Sequence, residues 1–490
     1  MEPIRVLTRA QMEMIDRAAQ EILERTGMVI QSEAALEALE RVGCRVDRAA
    51  YRVRFPRKLT QETLERMRRD YAQPGRPERM PVRFSQVRFR STPYEVRQDF
   101  TVSAGGFSAF IYDLEGVRRQ ATREDVLCAI NMINELDQID TSGLPVSDQG
   151  VAAGERPVVM AALLAKYTRK IGGVETFTKE DVRVIWEIAQ VAAGSAAEFR
   201  ERPALVGYAE VRSPLCFDRN MVEVFMEYVQ LGVPQTVDTM PCGGTTAPMT
   251  AAGVLALGAA ETIAPLVLAY ALRDDAVVGM DITPSYADMS SGNYGYAGAA
   301  RCSLLMARVQ LLAEHYGCPT GVHGGKTDAC FLDEQAGIEK AATMILPVLA
   351  GAVGIGTVGH LENALTFSPV QLVIDNAIAG YVRRTIRQPI AVNEETLALD
   401  LIDTAGPGGT FIAERHTARH FHDELYLSPL FPAQPWAAAH GQPEVFETVQ
   451  RATARARELW HPPQAPVLSD EQMREIDRMV SRAAQRQRSP

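Results

Sequence analysis

The sequence predicts an α/β protein: a closed (β/α)8 barrel, the TIM barrel, with a helical N-terminal cap and a C-terminal helical extension. From about residue 100, short apolar runs alternate with longer helical segments in eight pairs over roughly 270 residues, the size of such a barrel. The rival fold is a doubly wound open sheet. No Gly-x-Gly-x-x-Gly fingerprint follows a strand in the right place for it, and no Gly-x-x-x-x-Gly-Lys-Ser/Thr motif occurs.

The cap is predicted over residues 1–99. Thr8 can accept a hydrogen bond at the start of an amphipathic helix, and Gly27 is placed to end it. Three short helices bury little apolar surface alone, so we expect the cap to pack on a larger body. The other predicted elements of the cap are a helix from Ser32 to Gly43, a hairpin over residues 46–55, a helix over 60–71 and a turn-rich boundary over 73–81.

The barrel is predicted over residues 100–384. Its strands read as short apolar runs because parallel strands are buried on both faces. The runs cover residues 108–112, 138–142, 170–174, 204–210, 235–239, 276–281, 319–323 and 353–357. The helices between them begin near Thr122, Arg156, Thr178, Asp218, Pro248, Gly298, Asp333 and Ser368.

The C-terminal extension is predicted over residues 385–490. It contains a glycine-rich turn at residues 406–409 and two amphipathic helices, over residues 444–458 and 468–484. Amphipathic helices need an apolar surface to cover. We therefore expect this part to pack on the barrel as an extension of it, not as a separate domain.

Composition narrows the possible partners and location. The 490 residues include 51 Lys and Arg against 61 Asp and Glu, for a net charge of −10. Without a basic block, nucleic acid is not an expected partner, because phosphate binding needs clustered cations. The seven cysteines are an odd number without a Cys-x-x-Cys pair, which favours reduced thiols, and the N-terminus lacks the apolar core of a signal peptide. These features predict a cytoplasmic protein.

Two apolar stretches, residues 247–272 and 341–359, are long enough to cross a membrane. Both are rich in Ala, Gly and Thr, and they contain Pro265 and Pro347, so their hydrophobicity per residue is modest. We interpret both as buried helices of the α/β core and expect no membrane partner.

Reacting groups in a barrel lie at the C-terminal ends of the strands and in the loops after them. Carboxylates and aromatic rings predominate at these positions, and both attract cations. A quaternary ammonium has no N–H group to donate. A protein can therefore bind it through its positive charge, which carboxylates and the faces of aromatic side chains attract. The candidates are Asp113, Glu175, Glu210, Asp238, Asp281, Thr283, Tyr286, Asp288, Tyr294, Tyr296, His323 and Phe331.

Two loops in this set are the most informative. The loop of residues 286–296 holds three tyrosines and is expected to form a mobile aromatic lid, although a subunit contact would use the same composition. The loop of residues 323–331 brings His323 and Lys326, which could meet an anionic group of a substrate. His416, His420 and His422 lack a metal-binding order, so we predict no metal site. Hydrolysis through a covalent intermediate is unsupported, since no Gly-x-Ser-x-Gly elbow occurs.

Motifs distributed over the whole chain carry a family resemblance. They are Leu7-Thr-Arg9, Ile22-Leu-Glu-Arg-Thr-Gly27, Ser213-Pro-Leu215, Met240-Pro-Cys-Gly-Gly-Thr-Thr-Ala-Pro-Met-Thr-Ala-Ala-Gly253, Asp333-Glu-Gln-Ala-Gly-Ile-Glu-Lys340, Leu349-Ala-Gly351, Ser368-Pro369, Gln371-Leu-Val-Ile-Asp375, Gly406-Pro-Gly-Gly-Thr-Phe411 and His416-Thr417. With these motifs the chain resembles the trimethylamine methyltransferase superfamily, in its members that lack pyrrolysine.

This resemblance implies a TIM barrel that takes a methyl group from a small quaternary amine, such as glycine betaine, and passes it to the cobalt(I) of a corrinoid on a separate protein. None of the eight histidines follows an Asp by two residues, as the usual corrinoid-carrier motif Asp-x-His-x-x-Gly requires. We therefore expect no cofactor bound by this chain and a cobalamin-carrying partner. A homo-oligomer is also expected.

Roles for individual residues follow from this hypothesis. Asp281 and Glu210 would supply negative field, and His323, Lys326 or Arg301 would meet a substrate carboxylate. Arg301 stands where many relatives have Glu, so it would either hold that carboxylate at the pocket rim or face solvent. The predicted aromatic cage consists of Tyr286, Tyr294, Tyr296 and Phe331. Two alternatives stay open: a betaine-binding barrel without catalysis, and a methyltransferase with another acceptor, such as a folate or a thiol.

Overall fold

The computed structural model describes residues 3–72, 100–170, 173–197, 207–386, 390–433, 435–436 and 447–488. The boundary predicted over residues 73–81 lies outside these ranges, as do parts of the third and fourth predicted strands. The strands are β1 Met28–Ile30, β2 Arg45–Asp47, β3 Arg52–Arg54, β4 Thr101–Ser108, β5 Phe110–Tyr112, β6 Arg118–Gln120, β7 Thr141–Val146, β8 Gly207–Val211, β9 Cys216–Phe217, β10 Gln235–Thr239, β11 Cys242–Gly243, β12 Val278–Met280, β13 Ser285–Ala287, β14 Tyr294–Gly295, β15 Gly321–Val322, β16 Gly354–Ile355, β17 His360–Leu361 and β18 Thr366–Phe367.

The α-helices are α1 Arg9–Arg25, α2 Glu33–Arg41, α3 Arg57–Ala72, α4 Arg123–Glu135, α5 Arg156–Tyr167, α6 Lys179–Ala193, α7 Arg219–Leu231, α8 Ala251–Leu272, α9 Ala299–Gln310, α10 Glu334–Leu349, α11 Pro369–Ile386, α12 Glu394–Leu397, α13 Leu399–Ala405, α14 Arg415–Glu424, α15 Thr448–Leu459 and α16 Asp470–Arg488. A π-helical turn, Leu311–His315, continues α9, and a 3₁₀ turn spans Glu362–Ala364. Every helix predicted between strands is confirmed, and each begins within three residues of the predicted start.

The N-terminal helices form as the sequence predicts. The Thr8 side chain and Gln11 form a reciprocal capping box at the start of α1, and Ser32 caps α2. Strand β1 pairs with the hairpin strand β3 on one side and runs parallel to β9 on the other, with Val29 opposite Cys216. The buried face of these helices shares one apolar core with α8, so the cap is packed onto the central α/β region.

Two parallel sheets form the centre of the fold. One has the strand order β15-β16-β4-β7, and the other has the order β12-β10-β8. These are the orders expected for strands seven, eight, one and two and for strands six, five and four of a barrel. The first predicted strand, residues 108–112, is corrected: the strand between β16 and β7 is β4, Thr101–Ser108, whereas β5, Phe110–Tyr112, pairs with β18 and β6. The third predicted strand contributes one bond, from Ser142 N to Lys170 O at 2.8 Å. The backbone hydrogen bonds of the described residues do not join the two sheets into a closed barrel, so closure stays a prediction.

Helix α8 is the one described helix that is long and apolar enough to cross a membrane. Its most apolar window is 83% buried inside the protein, as expected for the core helix predicted over residues 247–272. The second apolar stretch, residues 341–359, is not one helix. Helix α10 ends at Leu349 and strand β16 follows at Gly354, so this prediction is corrected: the stretch is the end of a helix followed by a strand.

One glycine run has the spacing of a dinucleotide-binding fingerprint. Gly354, Gly356 and Gly359 follow the Gly-x-Gly-x-x-Gly pattern at the end of the eighth predicted strand. Helix α11 begins only at Pro369, and the backbone N–H of Gly359 donates to the buried Asp375 at 2.6 Å. Because no helix begins directly after this turn, the run cannot offer a helix N-terminus to a pyrophosphate.

The last two helices, α15 and α16, confirm the amphipathic pattern of the C-terminal extension. Ala452 and Ala456 of α15 and Ile476 of α16 are fully buried and belong to the same apolar core as β4 and β7. These helices therefore cover the barrel-like centre at its outer face. Helices α12–α14, which lie between α11 and α15, contain no buried residue.

Candidate active site

Side chains from the C-terminal ends of three central strands meet at one place. His323, just after β15, has its Nε2 3.9 Å from the Oδ2 of Asp238 in β10. The Nδ1 of the same imidazole lies 3.1 Å from the Oγ1 of Thr357, just after β16. Reactive groups gather at this end of the strands in α/β barrels. The residues around His323 are therefore the candidate active site.

The acidic cluster consists of Glu175, Glu210 and Asp238, with Tyr208 beside them. Asp238 is buried; its Oδ2 accepts a hydrogen bond from Thr283 Oγ1 at 2.9 Å and its Oδ1 accepts one from its neighbour's backbone N–H at 2.8 Å. The Tyr208 hydroxyl donates to Glu210. The negative charge of Glu210 acts on both other acids, so the three carboxyls lie close enough to interact.

Burial and a neighbouring negative charge change how Glu175 and Asp238 titrate. Burial, together with the charge of Glu210, raises the pKa of Glu175 to about 7 and that of Asp238 to about 7. Like charges in a poorly hydrated site cannot all ionise cheaply. Glu175 and Asp238 therefore hold protons near neutral pH, and a cation bound beside them would favour the release of those protons.

The basic cluster consists of Lys326, His323, Arg301 and Arg308, and it lies next to the acids: the Nε2 of His323 is 3.9 Å from Asp238, and Asp238 and Glu210 act on Lys326. Burial, together with the charge of Arg301, lowers the pKa of Lys326 to about 7, while Asp238 and Glu210 act in the opposite direction. Burial and the neighbouring cations also lower the pKa of His323 well below its usual value, so its imidazole is neutral at pH 7. The His323 side chain is 37% exposed, which leaves part of the ring open to a ligand.

Arg301 does not face solvent, which corrects one of the two predicted positions. Its side chain is buried, and its guanidinium donates to the backbone carbonyls of Pro284, Tyr296 and His323. With these donors directed at the two loops, Arg301 holds the loops together and does not lie at the pocket rim. Its charge reaches the site through its effect on the pKa of Lys326.

Asp281 does not supply the uncompensated negative field that the sequence predicts for it. Its carboxylate forms an ion pair with the buried Arg308. The same guanidinium donates to the Gly321 carbonyl at 2.5 Å and to Thr320 Oγ1 at 2.9 Å. Arg308 therefore bridges the end of β12 and the start of β15, where the two parallel sheets come together, and neutralises Asp281. The acidic cluster carries the field instead.

The four rings of the predicted aromatic cage have different surroundings. Tyr296 lies in the site, with the Nζ of Lys326 4.3 Å from its ring centroid. The Tyr286 ring lies against the backbone of Gly243 and packs on the apolar core. Tyr294 is 47% exposed and Phe331 is 67% exposed, and strands β13 and β14 pair as an antiparallel hairpin. A cage of all four rings stays a prediction.

Sequence reasoning missed Tyr208 and Arg308. Tyr208 could have been found, because it stands two residues before Glu210 in the same strand and therefore on the same face. Arg308 lies in the last turn of α9, where an arginine is usually a solvated surface residue. The fact that it is buried depends on the packing of α9 against β15, which has no local signal.

A buried ion pair contacts the loop of residues 323–331. Lys340 of α10 and Asp375 of α11 have no exposed side-chain surface, and their Nζ and Oδ2 atoms are 2.8 Å apart. Lys340 also donates to the Gly325 carbonyl at 2.6 Å. The family motifs that contain these two residues therefore position the loop that carries His323 and Lys326.

The histidines of α14 lie apart from this site. The rings of His416 and His420 are 4.4 Å apart between centroids. Within the described ranges, no group of three His, Cys, Asp or Glu side chains is arranged to hold a metal ion.

Comparisons with known proteins place the chain in a family. The family model of trimethylamine methyltransferase (MTTB) matches residues 1–488. The glycine betaine methyltransferase of Desulfitobacterium hafniense (strain Y51) is 28% identical over 461 residues, which cover 93% of this chain and 92% of that protein. The trimethylamine methyltransferase MttB of D. hafniense (strain DSM 10664 / DCB-2) is 28% identical over 413 residues, 82% of this chain and 79% of that protein.

Among solved structures, the Methanosarcina barkeri monomethylamine methyltransferase (MtmB) is 12% identical, with a TM-score of 0.44 over 97% of this chain and 93% of that one. The structure of a hydroxylamine complex of MtmB gives the same score at 13% identity, over 92% and 93%. The family model covers nearly the whole sequence and agrees with the motifs distributed along it. The chain belongs to the trimethylamine methyltransferase (MTTB) family.

Proposed function

We propose that this chain is a cytoplasmic methyltransferase, on a closed (β/α)8 barrel, that moves a methyl group from a small zwitterionic quaternary amine of the glycine betaine type to the cobalt(I) of a separate corrinoid protein. Its family and its 28% identity to a glycine betaine methyltransferase support the reaction class. The observation that carries the choice of substrate is that acidic and basic side chains meet in one site, with the Nε2 of His323 3.9 Å from the Oδ2 of Asp238.

A site with groups of both signs matches the two ends of a betaine. The acidic cluster, with Tyr208, would face the quaternary ammonium, and Lys326 and His323 would face the carboxylate. A cation without a carboxylate, such as choline, would meet the favourable acids but also the unfavourable charge of Lys326. A poorly hydrated site with charges of both signs distinguishes strongly between betaine and choline, because a ligand that leaves one buried charge unpaired loses binding free energy.

Methyl transfer from a quaternary amine needs little acid–base catalysis by the protein. The partner's cobalt(I) supplies the electron pair that forms the new bond to the methyl carbon, and the pair of the breaking C–N bond stays on nitrogen. The leaving group is a neutral tertiary amine, so no proton donor is needed. The chain's own residues orient the ammonium along the line of attack and exclude water.

The acids must not hold the ammonium too tightly, since its charge disappears as the bond breaks. Stabilising the ground-state charge more than the transition state slows the chemical step. Carboxyls with pKa values near 7 are only partly ionised at neutral pH, so they attract the ammonium less strongly than fully ionised carboxylates would. We therefore expect the acidic cluster to contribute more to substrate binding than to the rate of methyl transfer.

Calorimetric titration with glycine betaine, proline betaine, carnitine and choline tests the substrate class. We expect the three carboxylated compounds to bind more tightly than choline, and binding of none of them would refute the proposal. A second assay follows loss of cobalt(I) absorbance after a reduced corrinoid protein is added. Binding without methyl transfer would favour the non-catalytic alternative, and demethylation without a corrinoid would favour a folate or thiol acceptor.

The Glu210→Gln variant tests the acidic cluster. We expect KM for glycine betaine to rise about tenfold, because one negative charge next to the ammonium is lost, which corresponds to about 1.4 kcal/mol. We expect kcat to change much less, for the reason given above. Steady-state kinetics separate the two parameters. Glu65→Gln, an exposed position on α3, is the matched control and should leave both unchanged. A fall in kcat with KM unchanged would contradict this role.

A further inference from the structure

Thr357 has a backbone conformation that its residue type rarely adopts. Its φ is 68°, in the left-handed region. Among the residues that the structure describes, nine other than glycine have a positive φ, and Thr357 is the only β-branched residue of the nine. A branched Cβ crowds the backbone at positive φ, whereas glycine adopts this conformation freely. Such a conformation persists only where the surrounding structure enforces it, and it often marks a functional position.

Two backbone hydrogen bonds hold the chain on either side of Thr357. The N–H of Gly356 donates to the carbonyl of Val322 in β15 at 2.8 Å, and the N–H of Val358 donates to the carbonyl of Ser103 in β4 at 3.4 Å. These bonds extend the pairing of β16 with its two neighbouring strands beyond its last residue. They therefore fix Thr357 at the C-terminal end of β16, in the candidate active site.

The side chain of Thr357 contacts His323. It is buried, and its Oγ1 lies 3.1 Å from the Nδ1 of the imidazole. In the described part of the chain, this imidazole is the one hydrogen-bond partner of the hydroxyl. A glycine would fit the backbone conformation better, but it would leave Nδ1 without its partner. The backbone conformation therefore does not explain the threonine, whereas the contact with His323 does.

The hydroxyl of Thr357 determines which nitrogen of His323 carries the hydrogen. The imidazole is neutral at pH 7, so one ring nitrogen donates and the other accepts. If Nδ1 carried the hydrogen, the buried hydroxyl would have no acceptor, and an unsatisfied buried donor is costly. Nε2 would also present its lone pair to the Oδ2 of Asp238, 3.9 Å away. Both effects favour a hydrogen on Nε2, with Oγ1 donating to Nδ1.

We propose that Thr357 is a positioning residue that holds His323 in the tautomer with its hydrogen on Nε2, so that His323 donates to the substrate carboxylate. This inference rests on the proposed function and specifies how the carboxylate is bound. The distance of 3.9 Å to Asp238 is too long for a hydrogen bond, and the ring is partly exposed, so this N–H is available to a ligand. A bare Nε2 would repel a carboxylate. The hydroxyl of Thr357 therefore favours a betaine over choline.

Nuclear magnetic resonance of the ligand-free protein tests the tautomer directly. With isotope-labelled histidine, the chemical shifts of the ring nitrogens distinguish a nitrogen that carries hydrogen from a bare one. The His323→Gln variant identifies the signals of His323, because these signals are then lost. We expect the hydrogen on Nε2 in the parent protein at pH 7. A parent protein with the hydrogen on Nδ1 would overturn the proposal.

Two substitutions at Thr357 test its effect on ligand preference. Thr357→Val keeps the branched shape and removes the hydroxyl, whereas Thr357→Ser keeps the hydroxyl. By calorimetry, we expect the valine variant to bind glycine betaine about three- to tenfold more weakly, the range for one neutral hydrogen bond, with a smaller change for choline. The serine variant should bind both ligands like the parent. The matched control is Thr385→Val, an exposed position of α11, which should change neither affinity.

The comparison of ligands distinguishes positioning of His323 from a structural role. Circular dichroism and the thermal midpoint show whether each variant is folded. A folded valine variant that weakens both ligands equally, or neither, would contradict the proposal, as would a serine variant that behaves like the valine variant. If the parent binds no betaine, the proposed function fails, while the resonance experiment still decides the tautomer of His323.

Discussion

Replacing Lys326 with Met is expected to reverse the preference of the protein for glycine betaine over choline. The Nζ of Lys326 is buried over the ring of Tyr296, where we propose that it meets the substrate carboxylate. Loss of a charge-assisted hydrogen bond costs about 1.5–3 kcal/mol, which is roughly a 10–100-fold weaker affinity. Choline has no carboxylate, so it should bind the variant as well as or better than the parent.

The ratio of the two dissociation constants, measured by calorimetry, is the quantity to compare. Lys58→Met removes the same charge from an exposed position of α3 and should leave the ratio unchanged. Equal weakening of both ligands by Lys326→Met would mean that Lys326 shapes the site without contacting the carboxylate.

The dependence of binding on pH should differ between the same two ligands. Glu175 and Asp238, with pKa values raised to about 7, are protonated below that pH, so attraction for an ammonium is lost as the pH falls. Lys326, with its pKa lowered to about 7, loses its charge as the pH rises, and with it the attraction for a carboxylate. Affinity for glycine betaine should therefore peak near pH 7. Affinity for choline should rise through pH 7 and then level off, and a decline for choline above pH 7 would contradict this assignment.

Replacing Lys340 with Met is expected to destabilise the fold by about 3–5 kcal/mol, because it leaves the Asp375 carboxylate buried without its cation. Burial lowers the pKa of Lys340 and raises that of Asp375, which shows that each charge alone is costly in this place. Such a loss is a large share of the roughly 5–15 kcal/mol that stabilises a typical native protein. The midpoint of urea unfolding measures it.

A double variant distinguishes the effect of leaving one charge unpaired from the effect of changing the side-chain volume. Lys340→Met combined with Asp375→Leu removes both charges and should recover part of the lost stability, although the N–H of Gly359 then loses its acceptor. Lys58→Met serves again as the exposed control and should change the free energy of unfolding by less than about 0.5 kcal/mol. A single variant as stable as the parent would show that the pair does not hold the loop in place.

Much of the fold could be predicted because its signals are local. Four helices begin at the predicted N-cap residues Thr8, Thr122, Thr178 and Asp333. In each, the side-chain oxygen accepts a hydrogen bond from the backbone N–H three residues later, so a few neighbouring residues suffice to predict the helix start. The fifth predicted strand, β10, has its predicted bounds at Gln235–Thr239. Its apolar run and its flanking turns are equally local.

The candidate site was predicted less completely. The sequence predicts His323, Lys326 and Glu210 at the C-terminal ends of strands, which meet at one face of a parallel sheet. In the structure Glu210 lies near the end of β8, and His323 and Lys326 follow β15. The sequence did not distinguish an aromatic ring in the site, such as Tyr296, from one exposed on a hairpin, such as Tyr294. Tyr294 and Tyr296 are two residues apart in the same loop, so their neighbours in the sequence are nearly the same. Their neighbours in the folded protein are different.

Sequence alone determined the helices between the central strands, individual strands such as β10, and the family, because each depends on short-range patterns or motifs along the chain. Tertiary structure alone decided which charges are available. Arg308 pairs with Asp281 and also acts on Asp238, and Arg301 is enclosed by loop carbonyls. The physical reason is that the cost and effect of a charge depend on what lies within a few ångströms of it, and those neighbours come from distant parts of the sequence.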